Sequence, residues 1–156
     1  MDGNPLVSAL LQVKACFDRS TACLDEGNST FVPVDGTFTV AQQVAHVAQT
    51  IDWFLEGAFR PEGFDRDFAA HQAEIGKVTS LATAREWLDR STARAIDVFS
   101  SKTPEEMAAP IAAGPIMGGA PRSAILSSIA DHTAHPRGAL TVYARLRGKQ
   151  PALPYG

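Results

Sequence analysis

The chain has 156 residues and a mass of 16.6 kDa, which is the size of one domain. Hydrophobic residues make up 45% of it, a share that excludes an intrinsically disordered chain. Seventeen acidic against fourteen basic residues give a net charge of −3, so the basic excess that attracts nucleic acid or an anionic membrane is missing. We therefore expect a single domain over residues 1–156 that binds neither nucleic acid nor a membrane.

Neither a membrane span nor a signal peptide is expected. The uncharged stretch 36–51 contains Gln, Thr and His and is shorter than the about 18 to 20 apolar residues of a span. The N-terminus lacks a basic segment followed by an apolar run. Cys16 and Cys23 would lie about 10 Å apart along a helix, which is too far for a disulfide. Two free thiols agree with the reducing cytoplasm, which is the expected location.

Hydrophobic spacing predicts four main helices. Asn4 is the predicted N-cap of the first helix, and Thr39 forms a predicted capping box with Gln42 at the start of the second. Pro121 suits the first turn of the last helix. The predicted helices cover, in chain order, 5–26, 40–59, 83–99 and 121–147, with a weaker helix at 68–75 and a Gly-, Pro- and Ala-rich loop at 109–120. Such a pattern predicts an all-α antiparallel bundle.

Histidines are the candidate metal ligands, and the sequence has four: His46, His71, His132 and His135. His132 and His135 are spaced so that their imidazoles can share one metal ion. A third imidazole from a facing helix, that of His46, would complete a three-ligand site with one open coordination position. A lone helical histidine is more often a hydrogen-bonded packing residue, so both interpretations stay open. His71 stands in a polar stretch, where we expect an exposed side chain or a local cap without a role.

Three stretches resemble the DinB/YfiT-like superfamily. The run 131–140, DHTAHPRGAL, is similar to the closing motif of that family, in which histidines precede Arg-Gly. The stretch 39–48, TVAQQVAHVA, resembles the second-helix motif that supplies the first metal-binding histidine, and 143–151 is similar to the family's tail. The resemblance covers the whole order of elements.

This resemblance implies an up-down-down-up four-helix bundle, often dimeric, that holds a divalent metal ion by three histidines. Zinc or nickel is the usual ion in the family. Characterised relatives include transferases and isomerases that use a low-molecular-weight thiol near the metal. For this chain the implied metal ligands are His46, His132 and His135, and the implied partners are a second copy of the chain and a small molecule such as a thiol.

One position departs from the family pattern. The family's third ligand is a histidine four residues after the first histidine of the closing motif, and here that position is Pro136. Proline binds no metal, leaves the carbonyl of His132 without its helical donor and favours a kink. Either the kink swings His135 toward His46 and His132, which rebuilds the site, or a ligand is lost and the metal is weakly bound or absent.

Four neighbours have predicted roles at this site. Asp131 precedes His135 by one helical turn and can orient its imidazole, although a solvent-facing acid fits the pattern equally. Gln49 and Trp53 share the side of His46 and are candidates to line a pocket, with packing as the alternative for Trp53. Arg137 can pair with a substrate carboxylate or form a structural salt bridge.

Three functions remain open from the sequence. The first is a metal-dependent enzyme, a thiol-dependent transferase or a hydrolase, whose reaction the sequence does not specify. The second is a non-catalytic, stress-related ligand-binding bundle in which Pro136 has degraded the metal site. The third is a structural homodimer whose histidines are polar core residues. A copurifying divalent metal would distinguish the first from the other two.

Overall fold

The computed structural model describes residues 4–156, and over that range the chain forms six α-helices and no β-strand. Residues 1–3, which belong to the N-terminus where no signal peptide is expected, lie outside the described residues. The predicted all-α class is confirmed. The helices are α1 Pro5–Thr21, α2 Val40–Phe59, α3 Phe68–Gly76, α4 Leu81–Ser101, α5 Pro104–Ala108 and α6 Ile125–Leu146.

The four long helices α1, α2, α4 and α6 make the bundle. Helix α2 packs against both α4 and α6, and α1 packs against α6 and α4. Each helix turns one apolar stripe inward, as the helical period requires. On α2 the sequence predicts a stripe of six apolar residues, of which five are at most 7% exposed and Phe59 is half-buried. The five are Val40, Val44, Val47, Ile51 and Phe54.

Local capping signals place several helix ends as predicted. The Asn4 side chain accepts a hydrogen bond from the amide of Leu6, and the capping box of Thr39 and Gln42 is formed. Another capping box, which is not among the predicted ones, joins Thr103 to Glu106 and starts the short helix α5.

Three predicted boundaries were wrong. Helix α1 ends at Thr21 instead of residue 26, because the guanidinium of Arg85 on α4 binds the Thr21 carbonyl at 2.9 Å. Helix α4 begins two residues early, since the Ser80 hydroxyl caps it. Pro121 lies outside α6 and precedes a 3-10 turn over Arg122–Ala124.

Side-chain hydrogen bonds fix α2 against its two neighbours and so position the site. Asp52 on α2 accepts from the Trp87 indole at 3.0 Å and from the Ser91 hydroxyl at 2.8 Å, both on α4. The Tyr143 hydroxyl on α6 donates to the carbonyl of Phe38, just before α2, at 3.2 Å. Within residues 4–156, no helix combines the length and the apolar character that crossing a membrane demands.

Candidate functional site

A cavity of about 270 Å³ opens between α2, α3 and α6. Two helices line it with the same spacing, i, i+3, i+4 and i+7, which puts four side chains of each helix on one face. The volume is close to the lower end of the roughly 300 to 1,000 Å³ of ligand pockets, so a small molecule fits it. The lining residues are His46, Gln49, Thr50 and Trp53 on α2, Phe68, His71, Gln72 and Ile75 on α3, and His132 on α6.

Two imidazoles face each other across the α2–α6 contact. The ring centroids of His46 and His132 lie 4.7 Å apart, and Phe38 packs on the His46 ring at 5.3 Å. Among residues 4–156, the Nδ1 atoms of both histidines are buried and find no hydrogen-bond partner. A buried polar atom left in this state costs about 1 to 3 kcal/mol, so each Nδ1 is free to accept a hydrogen bond from water or to bind a group from outside the chain.

Burial keeps both imidazoles neutral. Desolvation lowers the pKa of His46. Desolvation is also the main reason why the pKa of His132 falls to about 4, and the nearby His46 and His135 lower it further. The negative charge of Asp131 acts in the opposite direction and raises this pKa. Both rings are therefore unprotonated at neutral pH, which is the form that binds a metal ion.

The cavity holds a third histidine that the sequence analysis did not expect there. The side chain of His71 is only 20% exposed, so the expected exposed or capping position was wrong. Its Nε2 is buried and lies 3.6 Å from Oδ2 of Asp65, beyond hydrogen-bond range. The available signal was the helical spacing from Phe68 to the buried Ile75, because it places His71 on the inward face of α3.

Of the other predicted site residues, two line the cavity and three lie outside it. Gln49 and Trp53 lie on the cavity wall beside His46. His135 is exposed and stays outside the cavity, with its ring centroid 6.4 Å from that of His132, and Asp131 is also exposed. Arg137 lines a separate groove against α1 and does not face the histidines.

The donor set of the cavity meets part of what a divalent metal ion requires. Two neutral imidazoles with buried, unpaired nitrogens fit such an ion as two of its ligands. Among residues 4–156, no group of three His, Cys, Asp or Glu side chains is arranged to hold one. Pro136 is buried inside α6, which continues past it to Leu146 without carrying His135 into the cavity. A third protein ligand therefore requires a side chain to move.

Acidification is expected to destabilise the metal-free protein. Because the pKa of His132 is about 4 in the folded chain and about 6.5 in the unfolded chain, the unfolded state binds more protons between these values. The free energy of unfolding then falls as the pH drops through this window. The imidazole is partly solvated, so we discount the full shift and expect a loss of about 1 to 2 kcal/mol. Urea unfolding at several pH values between about 4 and 6.5 measures this loss. In a His132→Gln variant the free energy of unfolding should depend less steeply on pH. An equal slope in the variant would contradict this assignment.

Comparisons with known proteins agree with this architecture. The model of the DinB superfamily matches residues 9–140. YfiT from Bacillus subtilis, described as a probable metal-dependent hydrolase with an unusual four-helix bundle topology, superposes with a TM-score of 0.70 at 16% identity, over 93% of this chain and 87% of YfiT. A DinB-like protein from Bacillus cereus ATCC 10987 gives a TM-score of 0.68 at 18% identity, over 93% of this chain and 90% of that chain.

At these identities the two structures establish the fold, and they confirm the predicted four-helix bundle. A search of curated proteins finds no match. The superfamily match spans most of the chain and includes two of the three stretches that resemble the family, 39–48 and 131–140. The chain therefore belongs to the DinB superfamily.

Proposed function

We propose that this chain is a metal-dependent enzyme, a thiol-dependent transferase or a hydrolase, in which His46 and His132 bind a divalent metal ion at the cavity wall. The observation that carries the proposal is the pair of facing imidazoles, each with a buried Nδ1 that lacks a partner within residues 4–156. The structural neighbour YfiT is described as a probable metal-dependent hydrolase, which supports the same class of chemistry.

The donor chemistry favours zinc or nickel, because neutral imidazole suits both ions. When bound, such an ion polarises a substrate or lowers the pKa of a coordinated water or thiol. The protein keeps His46 and His132 unprotonated by burial, so they need not release a proton to bind the ion at neutral pH.

The remaining cavity wall provides a binding surface for a small substrate. Trp53, Phe68 and Ile75 form an apolar side that takes up an apolar group and displaces water. Gln49 and Thr50 lie on the same wall as His46 and supply polar groups that orient the substrate. A low-molecular-weight thiol is small enough to share this space with the ion.

A second candidate function is ligand binding without metal. One observation favours it, since residues 4–156 contain no ready set of three metal-binding side chains and Pro136 replaces the family's third histidine. In that case the cavity binds a small molecule, and the two buried Nδ1 atoms are satisfied by the ligand itself.

Metal analysis of the purified, untagged protein distinguishes the two functions. We expect about one zinc or nickel ion per chain in the wild type. His46→Ala and His132→Ala should each weaken metal binding by more than about 100-fold, because even outer partners of a metal ligand contribute 10- to 100-fold. Arg137→Ala, which changes the opposite side of α6, is the matched control and should keep the ion. A folded wild type that copurifies without metal and takes up neither added zinc nor added nickel would overturn the enzyme proposal.

A further inference from the structure

We infer that the cavity between α2, α3 and α6 takes an uncharged small molecule with an aromatic ring, and that this ring lies in a corner formed by Trp53 and Phe68. The inference rests on the proposed function, because it names the class of substrate that enters the same cavity. The two histidines proposed to hold the metal ion are not part of this aromatic corner.

The first argument is the absence of fixed charge from the cavity lining. Among the described residues 4–156, no Asp, Glu, Lys or Arg side chain lines this cavity. The amides of Gln49 and Gln72 do line it, and they donate and accept hydrogen bonds without being ionised. A charged ligand that enters this space loses its hydration and gains no partner of opposite charge. The lining therefore fits an uncharged molecule.

The second argument is the sign of the charges that act on the cavity histidines from outside the lining. Oδ2 of Asp65 lies 3.6 Å from Nε2 of His71. Desolvation lowers the pKa of His132 to about 4, although the negative charge of Asp131 raises it, so this imidazole carries no positive charge at neutral pH. Both carboxylates repel an anion. An anionic ligand is therefore disfavoured further.

The third argument is that the ring of Trp53 is held in place before a ligand enters. Its indole N–H donates to the carbonyl of Asp65 at 2.7 Å, so the ring offers its apolar surface to the cavity. The ring of Phe64 packs on it with the centroids 4.6 Å apart. Phe64 lies against Gly57, where a Cβ would come within 2.3 Å of the Phe64 ring. Helix α2 thus accepts a glycine, which weakens a helix, at the one place where the supporting ring needs the room.

The fourth argument is the position of Phe68, the first residue of α3. Its ring centroid lies 6.2 Å from that of Trp53 with the planes at 57°, so the two rings form a corner and not a stack. Phe68 is 53% exposed, which leaves much of its ring open to a ligand. An aromatic ligand can pack on both rings in the tilted or offset geometry that aromatic pairs prefer. A saturated ring of the same size gains only the burial of its surface.

The test titrates the full-length, ¹⁵N-labelled protein with four probes, in the presence of a chelator so that no divalent ion attracts an anion. The probes are benzyl alcohol, benzoate, benzylammonium and cyclohexylmethanol, which differ in charge or aromatic character and little in size. The sequence has two tryptophans, and a Trp87→Phe variant assigns their two indole N–H signals. The signal of Trp53 should shift, whereas that of Trp87, which donates to Asp52 and does not line the cavity, should not.

We expect benzyl alcohol to bind more than about tenfold tighter than either ion and about 2- to 10-fold tighter than cyclohexylmethanol. Phe68→Ala should weaken the binding of benzyl alcohol by about 2- to 10-fold, because one wall of the corner is lost. Arg137→Ala, which changes a separate groove, is the matched control and should leave the binding unchanged.

The inference is overturned if either ion or cyclohexylmethanol binds as tightly as benzyl alcohol, if Phe68→Ala binds benzyl alcohol as the wild type does, or if the Trp53 signal does not shift. These outcomes are separate from those of the metal analysis. A protein that copurifies with zinc and fails this titration keeps the metal centre and loses the aromatic ligand. A protein that binds no ion but passes it keeps the cavity as a site for uncharged aromatic molecules and loses the enzyme proposal.

Discussion

Replacing Pro136 by histidine is expected to raise the affinity for zinc by about 100-fold. Position 136 lies one helical turn after His132, so a histidine there shares a face with it, and the resemblance to the DinB family assigns the third ligand to this position. Four-ligand zinc sites reach about 10 to 16 kcal/mol, or about 3 kcal/mol for each ligand, which corresponds to about 100-fold. Competition with a chelator measures the change against the wild type.

Pro136→Ala is the matched control for this prediction. It returns the backbone donor that the His132 carbonyl lacks, without adding a metal ligand, and a proline inside a helix costs about 3 kcal/mol. We therefore expect Pro136→Ala to raise the free energy of unfolding and to leave zinc affinity unchanged. If alanine raised zinc affinity as much as histidine does, the backbone of α6, and not the missing imidazole, would be the cause.

The stability of Pro136→His itself is a poor guide, because two effects of similar size oppose each other. The restored hydrogen bond stabilises α6, whereas the larger side chain must fit at a buried position, where overpacking costs about 1 to 3 kcal/mol. Metal affinity is therefore the quantity that decides the prediction.

Local signals were enough to predict most of the helices. The N-cap Asn4 and the box of Thr39 with Gln42 act within one turn, so they are visible in the sequence and hold in the structure. The end of α1 was not predictable in this way. The carbonyl of Thr21 in its last turn accepts a hydrogen bond from Arg85, which is 64 residues away on another helix. No local sequence pattern predicts that contact.

The candidate site also contains residues that a local motif predicts and a residue that only the packing of the helices places. His46 and His132 were found because each stands in a motif, and the order of the two motifs implies that they meet in the bundle. His71 belongs to no motif, and its position depends on how the short helix α3 packs on α2. The polar residues around it outweighed the one useful signal, the inward face that it shares with Ile75.

The second large effect is expected in the core and away from the cavity. Phe99 on α4 is fully buried, and its carbonyl accepts a hydrogen bond from the Asn4 side chain at 2.6 Å. Phe99→Ala should lower the free energy of unfolding by about 3 to 5 kcal/mol, because it removes a large buried ring and leaves a cavity. Urea unfolding measures the loss as a lower midpoint concentration, while the slope of the free energy against urea concentration stays the same.

Phe68→Ala provides the contrast that separates the fold from the site. Phe68 is 53% exposed and lies on the cavity wall, so its removal should change stability by less than about 0.5 kcal/mol. Phe99→Ala should lower the free energy of unfolding and leave the zinc affinity of the folded protein unchanged. A Phe99→Ala protein that is as stable as Phe68→Ala would show that the core around α4 collapses to fill the space. A loss of zinc affinity in folded Phe99→Ala would show that the packing of α4 reaches the histidines through α2.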